Sequence, residues 1–181
     1  MKISDRPYKK LFIIFLIFLF IISGFVCFYV SHNFKNIKNY VEKHSNDKPF
    51  SVSLVLSVIK VESNFNADAV SSKNAKGLMQ IKDDTFEFVC EKYDLDLSGS
   101  DIFDAEKNII VGITYLGYLY EKYKDIDLAL CAYNAGEGNI DKWLSDKRYS
   151  SDGKELENIP FKETDDYIKK IKFYERVFSV L

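Results

Sequence analysis

Proline and glycine are scarce in this chain, with three and eight among 181 residues. That excludes collagen-like and low-complexity architectures, which need one or the other in bulk. Histidine occurs only at His32 and His44, and cysteine only at Cys27, Cys90 and Cys131. No spacing among them resembles a metal-ligand set, so neither a metal nor a cofactor is expected. Cys90 and Cys131 lie 41 positions apart, which leaves open both a disulfide and a pair of buried free thiols. An excess of one charge is lacking too. Twenty-five Lys and Arg stand against 27 Asp and Glu, a net of −2, and this gives no reason to expect a nucleic-acid partner.

What the chain has in quantity is apolar and aromatic surface. Apolar residues make up 47%, with 12 Tyr, 15 Phe and 1 Trp, and charged residues make up 29%. That is the balance of a globular protein, and the length fits one domain with something small attached. The charge is unevenly placed. Residues 1–10 hold Lys2, Arg6, Lys9 and Lys10 against Asp5, which leaves 21 basic and 26 acidic residues in the rest. This basic start leads into LFIIFLIFLFIISGFVCFYV, residues 11–30, without a charge. At 1.5 Å per residue such a helix spans roughly 30 Å, the hydrocarbon thickness of a bilayer. The run ends in bulky residues where a cleavable signal peptide needs small ones. It reads as an uncleaved, single-pass anchor with residues 1–10 in the cytoplasm and the remainder outside the cell membrane. Residues 31–49 read as a juxtamembrane stalk, partly helical, with Phe34, Ile37, Tyr40 and Val41 at helical spacing. Residues 50–181 read as one compact domain.

Within that domain the pattern is mainly α. Val52, Leu54, Leu56 and Val58 alternate as in a strand, while Leu54, Val58, Val61 and Phe65 fit one helical face, so the segment 51–63 is ambiguous by pattern alone. Residues 84–93 read as a helix capped by Asp84 or Thr85. Residues 104–124 form the clearest helix, capped by Asp104, with Ile109, Ile113, Leu116, Tyr120 and Tyr123 as its stripe. Residues 127–134 form another, closed by Gly136 in the left-handed conformation. A short turn of helix over 139–145 carries Trp143. Thr164 is placed as the cap of a last helix that turns Ile168, Ile171, Tyr174 and Phe178 inward. The long loops at 94–103 and 146–163 are of a length that often carries function.

Glu62 ends an apolar segment, and on a helix its neighbours one turn back are Val58 and Ile59. A carboxyl desolvated in that way is held protonated towards neutral pH, the requirement for a general acid that cleaves a glycosidic bond. The other reading of the same pattern is a glutamate on a solvated face.

Four motifs in order bear on that choice. They are Glu62-Ser63, Gly77-Leu78-Met79-Gln80-Ile81, Ala132-Tyr133-Asn134-Ala135-Gly136, and Ile159-Pro160-Phe161-Lys162-Glu163-Thr164 with Tyr167. Together they resemble the soluble-lytic-transglycosylase-like family, glycoside hydrolase family 23, related to goose-type lysozyme. The resemblance runs from about residue 51 to 174. It implies a lysozyme-like, mainly helical fold, peptidoglycan glycan strands as substrate, and Glu62 as the sole catalytic carboxyl, and it turns segment 51–63 towards helix. It further implies that Gly77 lets backbone approach the sugar and that Met79 and Gln80 line the cleft. Ser71 matches a serine bonding near the reacting sugar. Tyr133 and Asn134 offer hydrogen bonds to acid or substrate, and Glu163 matches a glutamate that contacts the glycan or its peptide. Packing readings stand beside these: Met79 and Tyr133 as core, Ser71 as a loop cap, and Glu163 as a first-turn acid of the last helix. Tyr115 and Tyr118 read as core or rim.

The chain departs from the family at Lys82-Asp83, where Met-Pro is usual, and at Glu137, Asp165, Asp166 and Cys131. No second carboxylate has a motif behind it, so the implied reaction closes a 1,6-anhydro ring on the muramic acid. A hydrolytic muramidase using Asp83 or Asp84, and a non-catalytic wall-binding protein, are the alternatives. Wall turnover, sporulation and service to a wall-spanning conjugation or secretion apparatus are all compatible with such an enzyme.

Overall fold

The structure, a computed structural model, describes residues 7–97, 99 and 101–180, with residues 7–10 as backbone only. Lys2 and Arg6 of the expected basic tail therefore lie outside the described residues. The helices run in the order α1 (Pro7–Ser45), α2 (Val52–Ser63), α3 (Asp83–Tyr93), α4 (Ala105–Tyr123), α5 (Ile126–Ala135), α6 (Glu137–Ser145) and α7 (Lys162–Phe178). The only β-pairing among the described residues is two isolated bridges, Val70 with Lys76 and Lys76 with Ile81.

The chain divides into two compact units, Met1–Asn36 and Ile37–Leu181. In the first, residues 11–30 are helical and exposed throughout. Among the described residues, α1 is the one helix long and apolar enough to cross a membrane. The second unit begins inside the segment read as a stalk. Ile37 and Val41 are buried in its core. Lys43 Nζ and His44 Nε2 both reach Glu106 Oε1 in the first turn of α4, at 2.7 and 2.9 Å. The compact unit thus takes in residues 37–49 of that segment, because the helical spacing of Ile37 and Val41 is a core stripe.

α2 explains why its own sequence is ambiguous. Six consecutive residues, Leu54 to Ile59, are buried, so the helix is covered all round and satisfies both periodicities at once. Ser51 caps it, accepting the Leu54 N–H at 3.1 Å. α7 packs along α2, and α5 packs against α4, α6 and α7. α4 begins on Asp104, which accepts the Lys107 N–H at 3.0 Å. Its stripe of Ile109, Ile113 and Leu116 is buried, with Tyr120 and Tyr123 at the rim.

Several helix ends differ from expectation. α3 starts at Asp83 after Lys82, which supplies no side-chain cap; Asp83 and Asp84 instead occupy the first turn, where the helix dipole favours carboxylates. Gly136 has φ +85° and ψ 139°, outside the left-handed helical region. It ends α5 and begins α6, so the chain must turn into a new helix rather than curl back. Thr164 does not cap α7; Phe161 precedes the helix and Thr164 lies in its first turn. Tyr174 and Phe178 are half-buried, while Ile168 and Ile171 are in the core. Cys90 and Cys131 are free thiols, and burial pushes the Cys131 thiol up to about 12.

α4 and the loop before α3 meet at Gly112. A Cβ there would lie 2.3 Å from Met79 Sδ and 2.8 Å from Met79 Cβ, and Met79 is fully buried. Gly112→Ala should gain up to about 1 kcal/mol of helix propensity but lose about 1–3 kcal/mol to overpacking. The net expectation is a protein less stable by about 1–2 kcal/mol, measured as a lower midpoint of chemical denaturation; an unchanged or raised midpoint would contradict the packing described.

Candidate active site

Glu62 occupies the last turn of α2, where the buried helix delivers it to the edge of the core. Its carboxyl is held at about pH 7 against an ordinary 4.5. Desolvation is the main cause; the Tyr167 hydroxyl, donating to Glu62 Oε1 at 2.7 Å, works against it, and the charge of Glu163 adds to the rise. Tyr167 comes from the buried face of α7 and is itself 5% exposed. Burial and the nearby Glu62 carboxylate push its phenol well above 10, so it remains a donor. The chain then leaves α2 through two successive residues with positive φ, Asn64 at 53° and Phe65 at 64°. A phenylalanine in that region is strained, and the strain sits three residues from the acid.

The loop from Asn64 to Lys82 forms the wall facing Glu62. It is tied by backbone hydrogen bonds, Ser71 N to Ala75 O, Gly77 N to Ala69 O, and a reciprocal pair between Lys76 and Ile81. One buried side chain from α4 fixes it to the core. Asn108 accepts the Met79 N–H at 2.8 Å and donates to the carbonyls of Lys76 and Ile102 at 3.0 and 2.9 Å. Met79 in turn offers its carbonyl to the Tyr133 hydroxyl at 2.7 Å. Gln80, at φ 51°, donates from Nε2 to the carbonyls of Ala69 and Gly77 at 3.1 and 2.9 Å.

A cleft of about 220 Å³ opens where these elements meet, and Glu62, Ser71, Gln80, Tyr133, Asn134 and Glu163 all line it. Lys73 and Lys82 line it as well, and with Gln80, Tyr133 and Asn134 they also border an adjoining hollow of about 480 Å³ that reaches Tyr115 and Glu137. Six of the eight residues singled out from sequence are thus brought together. Gly77 and Met79 are not. A Cβ on Gly77 would lie 2.3 Å from Asn108 Nδ2, so the glycine makes room for an amide and not for a sugar. The Met79 side chain is fully buried against Gly112, and only its backbone serves the site.

The remaining candidates hold dual positions. Ser71 Oγ accepts the N–H groups of Lys73 and Ala75 at 3.3 and 3.1 Å, so it caps the loop while facing the cleft. Asn134 Oδ1 accepts from the Thr164 hydroxyl at 2.8 Å. Glu163 lies in the first turn of α7, 72% exposed, with Lys73 Nζ 3.6 Å away. Asp83 and Asp84 are not in the lining, and Asp83 is held by Lys76 Nζ at 2.8 Å to each oxygen. The long loops likewise contribute no described residue to the cleft lining, apart from Glu163, which is helical. Sequence reasoning named Tyr167 within the last motif without giving it a role, and did not single out Asn108. The available signals were a tyrosine on the apolar face of α7, whose buried hydroxyl needs a partner, and an asparagine beside Ile109 at the start of the best stripe.

A buried acid at a helix end, a tyrosine on its carboxyl and a cleft walled by a motif loop sit within a fold that has relatives among known proteins. The profile of the transglycosylase SLT domain matches residues 39–156, and the chain belongs to that family. It is 31% identical over 140 residues to the soluble lytic murein transglycosylase of Salmonella typhimurium, covering 75% of this chain and 22% of that one. It is 33% identical over 107 residues to membrane-bound lytic murein transglycosylase F of Desulfosudis oleivorans, covering 55% and 22%. The crystal structure of the 70-kDa soluble lytic transglycosylase from Escherichia coli superposes with a TM-score of 0.68 at 27% identity, covering 78% of this chain and 24% of that one. The chain therefore spans under a quarter of the length of these relatives. A membrane-bound relative and the apolar α1 together suggest membrane anchoring.

The raised Glu62 carboxyl has a consequence for stability. Its folded value of about 7 exceeds the ordinary 4.5, so the folded state binds the proton more tightly. The stabilisation is complete below about pH 4.5 and is lost as pH rises through 7. A difference of one in pKa between folded and unfolded states corresponds to about 1.4 kcal/mol, so relative to Glu62→Gln the protein in nonionic detergent should lose about 3 kcal/mol between pH 4.5 and 8. Denaturation midpoints of the two proteins measured across this range check it; parallel curves would show that the carboxyl is not desolvated.

Proposed function

We propose that the chain is a peptidoglycan lytic transglycosylase that cleaves the β-1,4 bond between N-acetylmuramic acid and N-acetylglucosamine with Glu62 as its acid and base. The observation that carries this is the Glu62 carboxyl, desolvated to about pH 7 and facing the cleft. An acid poised near neutrality donates a proton well and takes one back well. Glu62 protonates the leaving oxygen, and charge develops at the anomeric carbon. The same carboxylate then removes the proton from the muramic acid's own 6-hydroxyl, which closes the 1,6-anhydro ring. That hydroxyl is attached to the reacting sugar and has the advantage of effective molarity over free water.

Hydrolysis by either two-carboxylate geometry needs a second acid beside the bond. Glu163 is the other carboxylate of the cleft; it is largely exposed, beside Lys73, and its charge helps keep Glu62 protonated. The placement of Asp83 and Asp84 outside the lining favours ring closure over hydrolysis. Gln80 commits Nε2 to backbone and keeps Oε1 as an acceptor for the sugar. Asn134 commits Oδ1 to Thr164 and keeps Nδ2 as a donor. Ser71, its Oγ already accepting from two backbone amides, has its hydroxyl proton for the substrate. Tyr133 forms the floor.

We also propose a topology, with residues 11–30 as a single membrane span, residues 1–10 cytoplasmic and the catalytic unit on the extracytoplasmic side. The basic flank and the uncharged run support it.

Glu62→Gln in the full chain should lower the rate of glycan cleavage by at least about 10²-fold while leaving the fold intact by circular dichroism. The wild-type product should be an anhydro-ended muropeptide by mass spectrometry, inert to borohydride, and kcat should fall as pH rises past about 7. Reducing ends would make the protein a muramidase, and an active Glu62→Gln would remove Glu62 from the mechanism.

External protease applied to intact cells should degrade the catalytic unit and spare an N-terminal epitope tag. A mature protein released into the medium with its N-terminus beyond residue 27 would replace the anchor by a cleaved signal.

A further inference from the structure

The cleft holds one cation that the fold does not use. Each carboxylate around the groove other than Glu62 has a cation beside it. Glu163 has Lys73 at 3.6 Å, and Glu137 has Lys122 at 2.8 Å. Lys76, on the same loop, is held by Asp83. Lys82 lines both the Glu62 cleft and the adjoining hollow, is exposed, and its ammonium has no partner among the described residues. Local structure gives no reason for a lysine there. Lys82 is the N-cap of α3 and makes no capping bond, and a positive charge at the positive end of a helix is unfavourable. The surplus is also against the trend of the chain, whose residues after the first ten are net acidic.

Lys73, on the same loop and lining the same two hollows, is 68% exposed and pairs with an exposed carboxylate. Such a pair is weak and readily exchanged for another anion. When Glu62 acts as an acid it is uncharged, and a substrate entering the groove then meets the ammonium groups of Lys73 and Lys82 against the carboxylate of Glu163, with Glu137 already neutralised by Lys122. Both lysines border Gln80, Tyr133 and Asn134, the residues that would hold the reacting sugar.

We propose that Lys82, together with Lys73, recognises a carboxylate carried on the 3-O-substituent of the muramic acid and so makes the enzyme selective for anionic over charge-blocked glycan. This rests on the reading of the cleft as a glycan-cleaving site. Two parts of peptidoglycan supply that chemistry. A strand bearing stem peptides carries the peptide's carboxylates, and a stripped strand carries the free lactyl carboxylate.

The test uses the full chain in nonionic detergent and soluble glycan strands in four forms: with stem peptides or stripped of them, each with carboxylates free or coupled to a neutral amine. Wild type should show a kcat/KM about five- to tenfold higher on free than on blocked strands in at least one pair, expressed in KM and shrinking with added salt. Lys82→Gln should reduce that preference to about twofold or less, and Lys82→Arg should keep most of it. A preference confined to peptide-bearing strands assigns the stem peptide, and one confined to stripped strands assigns the lactyl group. Equal rates on free and blocked strands in both pairs, or a Lys82→Gln that keeps the wild-type preference, would overturn the inference. Binding of the same strands by Glu62→Gln, measured by calorimetry, separates the two readings. If wild type cleaves nothing yet Glu62→Gln binds free strands more tightly than blocked ones, the transglycosylase reading fails and carboxylate recognition stands. If cleavage proceeds without any preference in rate or binding, the reverse holds.

Discussion

The amide of Asn108 is the contact on which the cleft depends. This one side chain accepts the buried Met79 N–H and donates to the carbonyls of Ile102 and Lys76, the latter shared with the Ile81 N–H. Leaving the buried Met79 N–H unpaired would cost about 1–3 kcal/mol. Everything downstream is set by that anchor. Gly77 has no side chain because the amide fills its space. Met79 is drawn into the core, which presents its carbonyl to Tyr133, and Gln80 follows in a left-handed conformation that turns it into the cleft.

The acid is held by different means. Glu62 rides on a helix buried on every side, so its backbone has little freedom, and its carboxyl is perturbed by burial first and by neighbours second. The Tyr167 hydrogen bond favours the ionised form and the Glu163 charge disfavours it. Their opposition leaves the group near neutrality, where one carboxyl can serve in both directions of proton transfer. A rigid acid on a helix thus faces a loop whose shape is fixed by a single amide, and the two come together only because α7 carries both Tyr167 and Glu163 along the same edge.

How much of this was legible in the sequence depended on whether one face or all faces of an element are buried. α4 has one buried stripe, and its extent and cap were readable. α2 has none, since burial on all sides erases the periodicity that distinguishes helix from strand. Six of the candidate residues taken from the motifs line one cleft, but motif membership does not separate substrate contact from packing. Gly77 and Met79 belong to the motif because of Asn108 and Gly112, which lie about thirty residues further on, and that pairing exists only in three dimensions. The compact unit's start at Ile37 was masked for a similar reason: its two core residues sit on a helix that is otherwise polar and continues from the apolar run.

The two thiols of the larger compact unit carry one more implication. Neither is bonded to the other, and Cys131 is buried with its pKa far above physiological pH, so it is almost entirely thiol and a poor nucleophile towards disulfides or oxidants. Folding of this unit therefore requires no electron acceptor and no shuffling of bonds. No contact of the fold depends on joining the two sulfurs, whatever the redox state of the compartment it enters.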